Sequence, residues 1–145
     1  MSESVELLDA VAIVGSYLRS NETVSELTGE RVSHKSPEEE DRDEPFVRIT
    51  QLDAANETGT REVEHLASYY LQIDCYAGVG NRYAEAFDLA AVVRAALVAL
   101  PGVDLEDAVA TDVGFASMPS QPDTDMKPAR ERVILDAEIY LHPKP

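Results

Sequence analysis

The chain is short of thiols, short of positive charge and without a long apolar run, and each shortage removes a class of function. Its one cysteine, Cys75, permits no internal disulfide and no thiolate metal cluster. It lies among apolar residues of an alternating segment, so the expectation is a buried, inert thiol. Lys and Arg total 12 against 28 Asp and Glu, a formal net charge of −16. That balance repels phosphates and disfavours ordinary nucleic-acid binding. It fits solubility, a surface that passes DNA without gripping it, or one that imitates DNA. No stretch approaches the roughly 18 consecutive apolar residues of a membrane span, so no membrane partner is expected. The start, MSESVELLDAV, is acidic and has no basic n-region, so no export signal is expected and the chain should remain in the cytoplasm where it is made.

What is present is ordinary globular material. Hydrophobic residues make up 44% and charged residues 28% of 145 positions, the length of one domain able to bury a core without staples. Leu7, Val11, Val14 and Leu18 recur at helical spacing, with Ser2 or Ser4 as the expected cap, and a short turn over Val24 to Leu27 is closed by Gly29. Arg31 to Lys35 can form a short strand. PEEEDRDE then has too many like charges to fold alone, which makes 36–44 an exposed acidic loop. Phe46 to Leu52 alternates as a strand and, through the turn signal Thr58-Gly59, pairs with a longer one ending at Ala77. The two make a hairpin whose tip, about 54–64, extends beyond the sheet.

In that longer strand Ala67, Tyr69, Leu71, Ile73, Cys75 and Ala77 take one face. Ser68, Tyr70, Gln72, Asp74 and Tyr76 take the other. A helix follows, whose expected buried stripe is Phe87, Ala90, Val93, Leu97 and Leu100, stopped by Pro101-Gly102. Ala108 to Ala116 has strand character, 117–129 is a proline-rich loop, and Arg132 to Leu141 alternates once more. The fold expected is α+β: a single antiparallel or mixed β-sheet with two α-helices packed on one face.

Chemistry is sparse. Gly78-Val79-Gly80 sits where a dinucleotide-binding loop would, but Tyr83 occupies the third glycine position, and a tight turn capped by Asn81 accounts for the pair. His34, His65 and His142 are scattered without metal-ligand spacing, and the acidic loop lacks the glycine of a calcium loop. Asp123 and Asp125 read as solvated rather than chelating. Asp74, Asp136 and Glu138 are expected to share one sheet face, yet acid/base use requires a pocket and shifted pKa values. No cofactor, no metal and no enzyme activity are expected. A polar, aromatic sheet face with Arg48, Tyr70, Tyr76 and Tyr140 suits either a solvated surface or a subunit interface.

The order of elements, with EPFVRI, LQIDCYAGVGNRYAEAFDLAAVVRAAL and the closing ERVILDAEIYLH, resembles the tail terminator proteins of long-tailed bacteriophages over nearly the whole chain. None of these segments is a catalytic signature, and related neck and head-completion proteins share the pattern. The resemblance implies a virion protein that forms a ring, commonly a hexamer, on the head-proximal end of the tail tube. The ring stops tube growth and meets the head-tail connector, and DNA crosses its channel without specific binding. Its contacts would come from the sheet face (Arg48, Tyr70, Gln72, Asp74, Tyr76, Asp136, Glu138, Tyr140), the hairpin (Asn56, Thr58, Arg61) and the proline-rich loop (Gln121, Asp123, Asp125, Lys127). An acidic DNA-mimic inhibitor is the alternative from another class. It predicts carboxylates in regular rows, whereas here they concentrate in loops.

Overall fold

A computed structural model of the chain describes residues 8–35, 43–52, 56–57, 67–80, 82–106, 108–115, 123 and 130–144. Two helices open it. The first, α1 (Ala10–Ser20), is capped by Asp9, whose carboxylate accepts from the Ala12 N–H at 3.0 Å. The cap is therefore neither Ser2 nor Ser4, because the helix starts later than the apolar spacing from Leu7 suggested. The second, α2 (Glu22–Thr28), is a full helix where a turn was expected. Asn21 caps it by accepting from the Val24 N–H at 3.0 Å, and Gly29 closes it in the left-handed region at φ 58°. The helices among the described residues thus number three, where two were expected. A Gly29→Ala chain should lose about 1 kcal/mol, because a Cβ is strained at that φ. The shift of the urea midpoint at unchanged slope measures it.

The sheet is built from β1 (Val32–Ser33), β2 (Phe46–Gln51), β4 (Ala67–Tyr76), β6 (Arg132–Pro143) and β5 (Ala108–Phe115), in that spatial order, with β3 (Asn56–Glu57) paired to the start of β4. β1 runs parallel to β2 and the remaining pairings are antiparallel, so the sheet is mixed. The expected hairpin is present as the β2–β4 ladder, Phe46 opposite Tyr76 and Gln51 opposite Leu71. Ten consecutive pairs join β4 to β6, from Ala67–Leu141 to Tyr76–Arg132.

One face of this sheet carries the core. Tyr69, Leu71, Ile73 and Cys75 of β4 meet Val133, Leu135, Ala137 and Ile139 of β6 under the helices. The third helix, α3 (Tyr83–Val98), returns along β4 and β6 and buries Ala86, Leu89, Ala90, Val93, Ala96 and Leu97. Phe87 is not part of that stripe: it is exposed, because the side of α3 that carries it points away from the sheet. The Tyr17 hydroxyl donates to the Ala96 carbonyl at 2.6 Å, tying α1 to α3. Cys75 is fully buried, and burial together with Asp74 raises its thiol pKa far above the usual range, which removes it as a nucleophile.

The two ends of the sheet differ. The chain enters segment 53–55 at the end marked by Leu52, Ala67 and Leu141, whereas segment 124–129 is flanked by Asp123 and Arg130 at the opposite end, near Phe46, Tyr76 and Arg132, where Asp43 and Glu44 also lie.

Candidate functional site

All three helices lie on the core side, so among the described elements none covers the other face of the sheet. Register alone assigns its residues. Phe46, Arg48 and Thr50 of β2 stand beside Tyr76, Asp74 and Gln72 of β4, which stand beside Arg132, Ile134 and Asp136 of β6. Further along, Tyr70 lies beside Glu138 and Ser68 beside Tyr140, with Gly114 and Asp112 of β5 completing those rows. Every sheet residue predicted for contact, from Arg48 to Tyr140, is thus on one face, and Asp74, Asp136 and Glu138 share it. Whether that face is solvated throughout is decided by what lies over it.

At the Phe46 end it is not solvated. Asp74 and Tyr76 are fully buried and Asp123, expected in solvent, is nearly so. The Asp74 carboxylate accepts from Arg48 at 3.3 Å and from Gln72 at 2.9 Å, with Arg132 at 3.9 Å. The Tyr76 hydroxyl donates to Asp123 Oδ2 at 2.7 Å and accepts from Arg48 at 2.6 Å, and Arg132 lies 3.8 Å from the same Asp123 oxygen. Tyr76 stacks on Phe46 at 4.3 Å between centroids, while the Arg130 guanidinium lies 5.2 Å over Phe46 and donates to the Glu44 carbonyl at 3.0 Å. The backbones of Asp123 and Arg130 bridge each other. One consequence is mechanical. A single clamp fastens the base of the 124–129 segment to the sheet and to Glu44, at the edge of the acidic segment.

Buried carboxylates survive here because each is matched by guanidinium donors together with the Gln72 amide at Asp74 or the Tyr76 hydroxyl at Asp123. Burial, followed by the bond to Asp123, pushes the Tyr76 pKa up to about 12, with Arg48 opposing. The raised folded-state pKa means that Tyr76 contributes stability fully present below pH 10 and lost as pH rises through about 12, at roughly 1.4 kcal/mol per unit. Tyrosinate absorbance should therefore show a group titrating near pH 12 that disappears in Tyr76→Phe, along with that alkaline loss of stability.

The other half of the face is more open and is acidic. Asp112 is exposed, Asp136, Glu138 and Tyr140 are half-buried, and Tyr70 and Leu52 are exposed beside each other, joined by the Leu52 N–H to Tyr70 carbonyl bond at 2.9 Å. Burial, then Glu138 and Asp112, raise the Tyr140 pKa.

Asn56 lies in β3. Thr58, Arg61, Gln121, Asp125 and Lys127, the tips 54–64 and 117–129 otherwise, and most of the acidic loop lie outside the described residues. Phe46, Arg130 and Arg132 were not among the predicted contacts. Alternation places Arg132 on the right face, whereas nothing local in the sequence signals Arg130. The Gly78 turn is structural: a Cβ there would sit 2.9 Å from the Asp43 carbonyl, and the Gly78 N–H donates to Glu85. Arg82, not Asn81, occupies the cap position of α3. Among the described residues no group of three or more His, Cys, Asp and Glu side chains converges on a metal-sized site.

No protein-family model and no curated protein matches the chain. A chain of the solved structure "Virion of native gene transfer agent (GTA) particle" is similar to it at 21% identity, over 93% of this chain and 99% of that one, with a TM-score of 0.61. The likeness is of the whole fold, because neither chain has a large part the other lacks.

Proposed function

We propose that this chain is a structural protein of a phage-like virion, a tail terminator that forms a ring at the junction of tail tube and head connector. The observation that carries the reading is the end-to-end likeness in fold to a component of a virion particle. The geometry supports it in two ways. Among the described elements no helix lies over the outer face of the sheet, which leaves room for neighbouring copies. Its loops also leave from opposite ends, so that the hairpin and the proline-rich loop address two different neighbours, the tube on one side and the connector on the other.

In a ring, each such contact is weak alone and strong together, because once one subunit is seated the others meet their sites at high effective concentration. The net charge of −16 per copy suits a channel that DNA crosses without sticking. The test is negative-stain microscopy of the protein alone and mixed with tail tubes, with mass by light scattering. Caps confined to one tube end are expected. A chain that stays monomeric and ignores tubes would remove the terminator reading.

A further inference from the structure

We propose that the Phe46 end of the sheet is a conformational device, in which Arg130 locks residues 43–46, 76–80, 123 and 130–132 into one unit that opens and closes as a whole. The coupling belongs to the free chain and does not depend on ring formation. On the ring reading, a neighbour that grips the proline-rich loop at Asp123 is felt at Asp43, where the acidic segment ends.

Three stretches of chain far apart in sequence meet here, and each is bonded to both of the others. The Val79 N–H donates to the Asp43 carbonyl at 3.2 Å, which joins the turn before α3 to the chain entering β2. The Ala77 N–H donates to the Glu131 carbonyl at 3.1 Å and Gly80 forms a parallel bridge with Arg130, which joins the same turn to the chain entering β6. Arg130 Nη2 donates to the Glu44 carbonyl at 3.0 Å and closes the triangle. Asp123 is held to it twice, by its N–H to the Arg130 carbonyl at 2.8 Å and by the Tyr76 hydroxyl at 2.7 Å. In a closed triangle any two sides hold the ends of the third in place, so the third forms at little further cost in entropy. Its sides therefore form and break together.

Arg130 is also what lets this corner open before the core does. The residue is 2% exposed, yet its Nε and Nη1 have no hydrogen-bond partner among the described residues. Burial lowers its pKa, against the opposing pull of Asp43, Tyr76, Glu44 and Glu85. A buried donor without an acceptor carries its full desolvation cost, and opening the corner returns that cost by hydrating both nitrogens. The β4–β6 ladder, ten residue pairs in unbroken register, has no such relief to gain. What keeps the corner closed is the stacking over Phe46 and the bonds around the triangle.

Native-state hydrogen exchange of the free, folded chain reads the coupling amide by amide. Tyr76→Phe loosens Asp123 on one side. Arg31→Met loosens the other side, where Arg31 Nε donates to the Pro45 carbonyl at 3.0 Å. Neither substitution removes the Val79 bond. In Tyr76→Phe the amides of Asp123, Ala77 and Val79 are expected to exchange faster by one common factor, about tenfold or more. Arg31→Met is expected to give the same three amides a common factor of its own, because coupling between two sites is reciprocal. The Leu52 N–H, bonded to Tyr70 at the far end of the sheet, should keep its wild-type rate in both. In an Arg130→Met background, which keeps bulk over Phe46 without a bond to Glu44, Tyr76→Phe should still speed Asp123 and leave Val79 unchanged. Asp123 and Val79 responding separately in the single variants overturns the proposal, as does an equal acceleration of Leu52, which means that only the whole domain opens. A Val79 that still follows Tyr76→Phe without Arg130 removes Arg130 as the lock. A chain that ignores tail tubes removes the terminator reading and leaves this coupling standing.

Discussion

Replacing Asp74 by alanine is expected to cost about 3–5 kcal/mol, a large part of the stability of a domain this size. The carboxylate is fully buried and is the shared anion for Arg48 at 3.3 Å and Arg132 at 3.9 Å, with Gln72 donating to its other oxygen at 2.9 Å. Removing it leaves two guanidinium groups, mostly withdrawn from water, facing each other across an empty site. Hydration of their exposed edges recovers part of the loss, which places the effect toward the lower figure. Asp74→Asn keeps the shape and one acceptor, and should cost about half as much. Asp136, in the next row on the same face, belongs to no such network among the described residues, and Asp136→Ala should stay within about 0.5 kcal/mol. Urea unfolding of the three variants makes the comparison. Equal losses at Asp74 and Asp136 would show that the buried network is not what separates them.

That contrast also marks how far the sequence reaches. Alternation assigned the faces of β4 and β6 correctly, because period 2 is a geometric property of the strand itself. Alternation says nothing about what covers a face. Asp74 and Tyr76 look like Gln72 and Tyr70 in sequence, yet they are buried by Asp123 and Arg130, which arrive from some fifty residues further along the chain.

Phe87 failed for a different reason. With Ala84, Phe87, Ala91 and Val98 on one side of α3 and Ala86, Leu89, Ala90, Val93 and Leu97 on the other, the helical period has two solutions, and the largest side chain lies on the wrong one. The second helix was too short to show a period at all. Its evidence is at its ends, in the Asn21 cap and the left-handed Gly29. The candidate surface was therefore legible as a set of residues sharing a face, and its division into a sealed clamp and an open acidic half was not.

Deleting segment 54–64 should separate stability from assembly more sharply than any point substitution. The ladders that hold the core lie outside it. β2 pairs with β4 from Phe46–Tyr76 to Gln51–Leu71, and β4 pairs with β6 through Ala67–Leu141. Among the described residues what is lost is the two-residue β3 pairing with Ser68 and Ala67, a small share of the sheet. A shorter connection also costs slightly less closure entropy, so the net change in unfolding free energy should be within about 1 kcal/mol. By the terminator reading, however, this hairpin is one of the two contacts that leave opposite ends of the sheet. Every subunit of a ring loses it at once, and because the contacts act jointly the loss multiplies rather than adds. The expected result is a chain with a near-normal thermal midpoint that no longer joins tails to heads, read as free tails and filled heads by microscopy. Normal particles from the deletion would remove the hairpin from the joining surface, and a collapse in thermal midpoint would assign it instead to holding the sheet together.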